Sequence, residues 1–384
     1  MRVVLNGLIT LKPKTGVGHY TAELYEALRK LPGMDCSMYP GVLGWSPGFS
    51  PSSNKPKYGK DGLKPELQRK RLKSLAEQLA LAALPWHFAA YTRAFRFDLY
   101  HEPNFVPFKS HLPTVVTVHD LSVVRFPQWH PAYRVKNHEK AFLPGLQRAA
   151  HIITDTEAVR QEVIGELGIS AEKVTAVPIG IGPQFQPQSL AAIAEFRKKH
   201  ELPERFFLCV GTVEPRKNLL MAMRAFADLP PEVRSHCPLV LAGPWGWRSE
   251  AEREFFEAHG EAASIRHLGY VSDAELPILY AAARVLLYPS HYEGFGLPPL
   301  EMLACGGAVL ASTDPALQEV LAGHAKLIEA NDLAAWRSVM LTAATDDEYL
   351  QQLRVGGIEH AKEYTWESCA LGTAEVYRRV LSQR

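Results

Sequence analysis

The chain has 384 residues, of which 47% are hydrophobic and 22% charged, which excludes a disordered or fibrous protein and leaves room for about two domains with cores of their own. Its 42 Lys+Arg against 41 Asp+Glu leave a formal charge of +1, so no global field draws it to nucleic acid. Cys36, Cys209, Cys237, Cys305 and Cys369 are odd in number and contain no Cys-x-x-Cys pair, which argues against a disulfide framework or zinc knot and suits a reducing cytosol.

In chain order, Met1 to Asn6 enters a strand-like run at once, without the basic, apolar and small-residue segments of a leader peptide. Thr15-Gly16-Val17-Gly18-His19-Tyr20-Thr21 then opens a helix through Leu24 and Leu28. Glycines here let a backbone approach an anion, but a dinucleotide fingerprint needs a third glycine where Thr21 stands, so a phosphate loop and an ordinary tight turn both remain open. Between Lys55 and Lys73 eight basic residues face two acidic ones, and a Leu/Ala-rich run follows. Segment 55–91 reads either as a peripheral contact with an anionic membrane or as a solvated loop with a core helix, and it lacks the aromatic interleaving of a nucleic-acid surface. Glu77, Gln78, Pro85 and His87 interrupt its apolar stretch, so it falls short of the roughly 20 residues a bilayer span needs.

Short β-branched or apolar runs recur at Val3–Leu5, Thr114–Val118, Ile152–Thr154, Phe206–Val210, Leu239–Ala242, Val285–Tyr288 and Ala308–Ala311, each before a longer amphipathic stretch. Such alternation predicts α/β architecture with parallel sheets covered by helices. The connector-like Val177-Pro178-Ile179-Gly180-Ile181-Gly182-Pro183 divides the pattern. The expected organisation is a Rossmann-like domain over 1–180, a linker over 181–203, a second such domain over 204–363 and a terminal helix over 364–384. Helical spacing alone does not say which domain that last helix covers. Two doubly wound domains facing each other put a ligand in the central cleft, beyond the carboxyl ends of the strands.

Three strand ends carry chemistry. Tyr100-His101-Glu102-Pro103-Asn104 in the first domain offers polar groups to an acceptor or merely forms a Pro-shaped loop. Gly211-Thr212-Val213-Glu214-Pro215-Arg216-Lys217-Asn218 leads into a helix at Leu219, and adjacent cations at a helix start oppose its dipole unless an anion compensates. An Arg fork with a Lys point charge suits a diphosphate. In Tyr288-Pro289-Ser290-His291-Tyr292-Glu293-Gly294-Phe295-Gly296-Leu297-Pro298-Pro299-Leu300-Glu301, the prolines predict a helix start beside them and put Glu301 in its first turn, where a carboxylate can accept from two ribose hydroxyls.

Over nearly its full length the chain resembles the GT-B-fold retaining glycosyltransferases of family 4 type, group 1, among them bacterial mannosyltransferases. Glu293 and Glu301, seven residues apart, are similar to the family's Glu-x7-Glu motif, and Gly211 to Asn218 to its diphosphate-binding strand end. Gly16-Val17-Gly18, Val118-His119-Asp120-Leu121, Val177 to Gly180, Leu241-Ala242-Gly243 and His267 to Val271 agree in family order. The resemblance implies a terminal helix crossing back to the first domain. It assigns Arg216 and Lys217 to the diphosphate of a nucleotide-sugar donor. Gly16, Val17, Gly18, Gly211, Thr212, Gly294, Phe295, Gly296, Leu297 and Glu301 would line the donor site, with Glu301 on the ribose. Glu293 and the Phe295-Gly296 backbone would meet the transferred sugar, and His119 would reach it from the opposite domain. Asp120 would either orient His119 or cap the next segment.

The implied reaction is transfer of a hexose with retention from a nucleotide diphosphate sugar, GDP-mannose favoured, to a glycan or lipid-linked acceptor in polysaccharide or lipopolysaccharide synthesis. It requires no metal and no further cofactor, and it fits a cytoplasmic enzyme at the inner face of the plasma membrane. A UDP-sugar-dependent glucosyltransferase, a non-hydrolysing sugar-nucleotide epimerase and a non-catalytic sugar-nucleotide-binding subunit are its rivals. A nicotinamide-dependent oxidoreductase is disfavoured by the incomplete glycine fingerprint.

Overall fold

The computed structural model describes residues 1–11, 16–40 and 83–383. Segment 55–73, and most of 55–91, lies outside the described residues; residues 83–95 are helical and expose Trp86. No helix among the described residues is long and apolar enough to cross a membrane.

Two six-stranded, wholly parallel sheets form the described structure. The first holds β1 (Arg2–Asn6), β2 (Asp35–Tyr39), β3 (Leu99–Glu102), β4 (Thr114–Val118), β5 (His151–Thr154) and β6 (Val174–Ala176), in spatial order β2-β1-β3-β4-β5-β6. The second holds β7 (Phe207–Val210), β8 (Leu239–Ala242), β9 (Ile265–Gly269), β10 (Val285–Tyr288), β11 (Val309–Ser312) and β12 (Lys326–Ile328), in order β12-β11-β10-β7-β8-β9. β4, β8, β10 and β11 are buried at every residue, because helices cover both faces of a parallel sheet and leave no polar side. The helix Gly16–Leu28 turns Tyr20, Leu24 and Leu28 inward, at the four-residue spacing of one helical face.

Strand order reverses beside β7, which lies between β8 and β10, so a crevice opens beyond the carboxyl ends of β7 and β10. The corresponding point of the first sheet lies between β1 and β3. There the buried Glu102 carboxylate accepts from Asn6 Nδ2 (2.6 Å), the Tyr100 hydroxyl (2.6 Å) and the Asn104 N–H (3.0 Å).

Segment 181–203 is more than a connector. It contains the helix Leu190–Lys199, capped by Ser189 and held on the second domain by Arg197 donating to the Ala282 carbonyl (2.8 Å) and Lys199 paired with Glu275 (2.6 Å). The closing helix Trp366–Ser382 packs on the helix Gly16–Leu28, and its Tyr377 hydroxyl meets His101 Nδ1 at 2.5 Å in the first domain. The chain therefore passes between domains twice, and the two passages touch: Ile181 N–H donates to the Tyr364 carbonyl (3.0 Å) in an isolated parallel bridge with Thr365.

Candidate active site

Beyond β7 the chain makes a 3-10 turn, Pro215–Lys217, closed by Asn218 in the left-handed region (φ 55°) before the helix Leu219–Ala227 begins. Asn218 Nδ2 donates to the carbonyls of Pro289 (3.1 Å) and Ala330 (2.9 Å), which pins this turn to the loop beyond β10. Arg216 and Lys217 thereby converge on one carboxylate. Arg216 Nη1 donates to Glu293 Oε2 (2.6 Å) and the Tyr292 carbonyl (2.9 Å), and Lys217 Nζ donates to Glu293 Oε1 (2.7 Å) and to the Tyr288 hydroxyl. Glu214 closes the ring, accepting from Arg216 Nε (3.2 Å) and Nη2 (2.9 Å).

Two part-buried cations thus face two buried carboxylates. Burial pushes the Glu293 carboxyl up, but Arg216 and Lys217 outweigh it and hold it at about 2. Burial pushes the Lys217 ammonium down, and the Glu293 charge offsets only part of this. The Glu293 N–H in turn donates to Asp314 Oδ2 (3.2 Å), while Asp314 Oδ1 caps the helix Pro315–Leu321. A carboxylate so committed is a weak base. The arrangement instead holds two cations, balanced by two carboxylates, in fixed positions beside a cleft.

The segment after Glu293 turns sharply. Gly296, at φ 96°, adopts a conformation open to glycine and N-caps the helix Leu297–Ala304, with Pro298 in its first turn. The helix starts at Leu297, beside the prolines as expected, but Glu301 is its fifth residue and belongs to the second turn, not the first. Its carboxylate accepts from the Tyr280 hydroxyl (2.8 Å), and burial pushes it up to about 7. Phe295 is buried and meets Tyr364 edge-on, leaving its backbone as the part available to a ligand. Gly211 and Thr212 follow β7 directly, with the Gly211 N–H donating to the Ala242 carbonyl (2.9 Å).

In the first domain the helix begins at Gly16, followed by Val17 and Gly18; His19 beside them lies 3.7 Å from Asp273 of the second. His119 lies beyond β4. Its Nδ1 meets Asp155 Oδ2 (2.7 Å) and its Nε2 donates to the Pro103 carbonyl (2.9 Å), so both ring nitrogens are taken by its own domain. Burial would lower its pKa, yet Asp155 and the Pro103 carbonyl raise it and favour the imidazolium. Asp120 instead accepts from the Ser122 N–H (2.8 Å) as a local cap. The sequence does not mark Asp155 as the partner of His119; the two meet because β4 pairs with β5 at Val118 and Thr154, so the next residues of both strands are neighbours.

The domains meet around this centre. A Cβ on Gly294 would collide with the His119 carbonyl, and Thr156 Oγ1 donates to the Gly294 carbonyl (3.0 Å). The Tyr292 hydroxyl accepts from the Leu121 N–H (2.8 Å) and donates to Glu162 (2.6 Å). Glu319 accepts from the N–H groups of Glu157 (2.8 Å) and Ala158 (2.9 Å), satisfying the start of a first-domain helix from the second domain.

Comparison with known proteins agrees with this geometry. Residues 14–185 match the model of Glycosyltransferase Family 4, and residues 192–360 that of Glycosyl transferases group 1. The chain is 32% identical over 375 residues to the O-antigen chain mannosyltransferase B of Escherichia coli, covering 95% of this chain and 96% of that protein. It is 30% identical over 247 residues to the serotype-specific mannosyltransferase WbdA of the same species, of which it spans 30%. Among solved structures, the sucrose-phosphate synthase of Thermosynechococcus elongatus superposes with a TM-score of 0.69 at 21% identity, covering 100% of both chains. WaaG, a glycosyltransferase involved in lipopolysaccharide biosynthesis, gives 0.68 at 17% identity, covering 98% of this chain and 99% of its own. The chain belongs to the group 1, family 4 type glycosyltransferases and has their GT-B fold.

Proposed function

We propose that the protein is a retaining mannosyltransferase that moves mannose from GDP-mannose to a glycan or lipid-linked acceptor in surface-polysaccharide synthesis. The observation that carries this reading is the Glu293 carboxylate clasped by Arg216 and Lys217 at the switch point of the second sheet. The full-length likeness to an O-antigen mannosyltransferase supports the sugar and the acceptor class.

Departure of the nucleotide builds negative charge on its diphosphate and positive charge on the anomeric carbon. Arg216 and Lys217, held in position by Glu214 and Glu293, stabilise the first. Glu293, kept ionised, orients them and faces the sugar. The leaving phosphate takes the acceptor's proton on the same face of the sugar, so neither a protein base nor a metal is needed, and a carboxyl held at about 2 is unsuited to be that base. Glu301 binds the ribose; Gly211, Thr212 and the Gly294 to Leu297 backbone line the donor, with Gly16, Val17 and Gly18 closing over it. His119 acts as a buried imidazolium under Gly294 rather than as a ligand with a free ring nitrogen. Peripheral membrane contact through 55–91 would bring a lipid-linked acceptor to the cleft.

A screen of GDP-, UDP-, ADP- and dTDP-sugars for transfer to octyl glycosides, with anomeric configuration read by NMR and EDTA as a control, tests this reading. Transfer from GDP-mannose with retained configuration in EDTA is expected. Transfer only from another nucleotide, or inversion, overturns the donor or the stereochemistry, and normal transfer by Arg216→Ala overturns the cation assignment.

A further inference from the structure

His130 has no place in the machinery described above, yet it is 3% exposed and neither ring nitrogen has a hydrogen-bond partner among the described residues. Leaving such a group unpaired in the interior is costly, so the ring is held for something the protein itself does not supply. Its backbone is fixed on both sides: its N–H donates to the Pro127 carbonyl (3.1 Å) at the end of a 3-10 turn, and Pro131 then starts the helix Ala132–Arg148.

The ring lies where the two domains meet. It is tilted against Trp247 of the second domain, with centroids 6.2 Å apart, and the Arg134 guanidinium lies 5.1 Å from the same indole centroid. It feels the charges of Arg134 and Asp120 from its own domain and of Glu214 and Arg216 from the other. Next to Trp247, Arg248 donates to the Gln128 carbonyl across the same seam. Arg134 has no ion pair among the described residues. A neutral imidazole gives one hydrogen bond and accepts one, as a sugar hydroxyl does, and an indole face with a guanidinium beside it is suited to a sugar ring.

We propose that His130, Trp247 and Arg134 form a carbohydrate subsite for the acceptor at the seam between the domains, reached when the seam opens, with the two His130 nitrogens hydrogen-bonded to acceptor hydroxyls. The inference rests on the glycosyltransferase reading of the cleft. It assigns the hydroxyls to the acceptor because none of the three residues bonds any member of the Arg216–Lys217–Glu293 cluster.

The test uses the full chain, the best donor from the screen above, and whichever of octyl α-mannoside, α-glucoside and α-galactoside the wild type accepts best. His130→Ala and the space-filling His130→Phe should raise the acceptor KM by about tenfold or more, the scale of one or two lost hydrogen bonds. Calorimetric affinity for GDP-mannose and the acceptor-independent hydrolysis rate should stay within about twofold, and His130→Asn should recover part of the loss. An unchanged acceptor KM in His130→Phe overturns the subsite. An equal loss of donor affinity assigns the ring to the donor sugar and overturns it too, as does unfolding of all three variants, which would make His130 structural. Loss of the donor reading alone shows instead as a wild type that ignores GDP-mannose while another nucleotide sugar supports the same comparison.

Discussion

Replacing Glu293 by Gln keeps the shape of the side chain and removes one negative charge from between two cations. The folded protein holds this carboxyl at about 2 against an ordinary 4.5, although burial works the other way. A depression of that size corresponds to about 3 kcal/mol of stability, since one pKa unit is worth about 1.4 kcal/mol. Because the folded-state value is the lower one, this stability is fully present above pH 4.5 and disappears as the pH falls through about 2. Glu293→Gln should therefore unfold about 3 kcal/mol more easily at pH 7, with the gap to wild type shrinking towards pH 3. Its effect on catalysis should separate from its effect on binding. The cations lose the group that positions them, so kcat should fall by about 10²–10³, the usual scale for one misplaced electrostatic contact. The site also becomes one unit more positive, so GDP should bind as tightly as before or tighter. Denaturant titrations at pH 7 and pH 3, transfer kinetics and calorimetry with GDP read these quantities. A kcat within about threefold of wild type, or GDP affinity falling in step with kcat, would refute the reasoning.

Glu301, pushed up to about 7 by burial, must ionise to accept from a ribose, so GDP affinity should rise with pH through that value and level off above it. In Glu301→Gln the affinity should be weak and flat across the same range, read by calorimetry. For stability the sign is opposite to that of Glu293: the contribution is present below pH 4.5 and lost as the pH rises through about 7. Tyr292→Phe strips the hydroxyl from Glu162 and leaves the Leu121 N–H unpaired, so small-angle scattering should show a larger radius and kcat should drop by about tenfold. Gly294→Ala drives a methyl group into the His119 carbonyl; both domains should keep their circular dichroism while transfer falls by about 10² or more.

Much of the fold was legible because the inner strands of a parallel sheet are buried on both faces. The runs at β4, β7, β8, β10 and β11 are mostly Val and Leu, broken only by small or aromatic residues and Thr. The edge strand β2, Asp-Cys-Ser-Met-Tyr, mixes polar and apolar residues, and β9 carries Arg266 and His267, so neither stands out as a strand. The helix Leu190–Lys199 buries only Phe196 fully, too narrow an apolar face to read inside a segment rich in Gly, Pro and Gln. In the candidate site, spacing and side-chain chemistry marked Arg216, Lys217 and Glu293, but not that they bond one another. Partner choice of this kind follows from strand register and the path of the loops. Glu214 and Asp155, which complete the charge ring and hold His119, belong to that class, as does His130, whose interest lies in what surrounds it.

The two passages between domains are hydrogen-bonded to each other at Ile181 and Tyr364, and the closing helix anchors the far end in the first domain. Paired straps behave like the spine of a book. They resist shear and torsion between the covers while leaving one angular freedom, so each closing brings Gly294 back over the same carbonyl without a search for alignment.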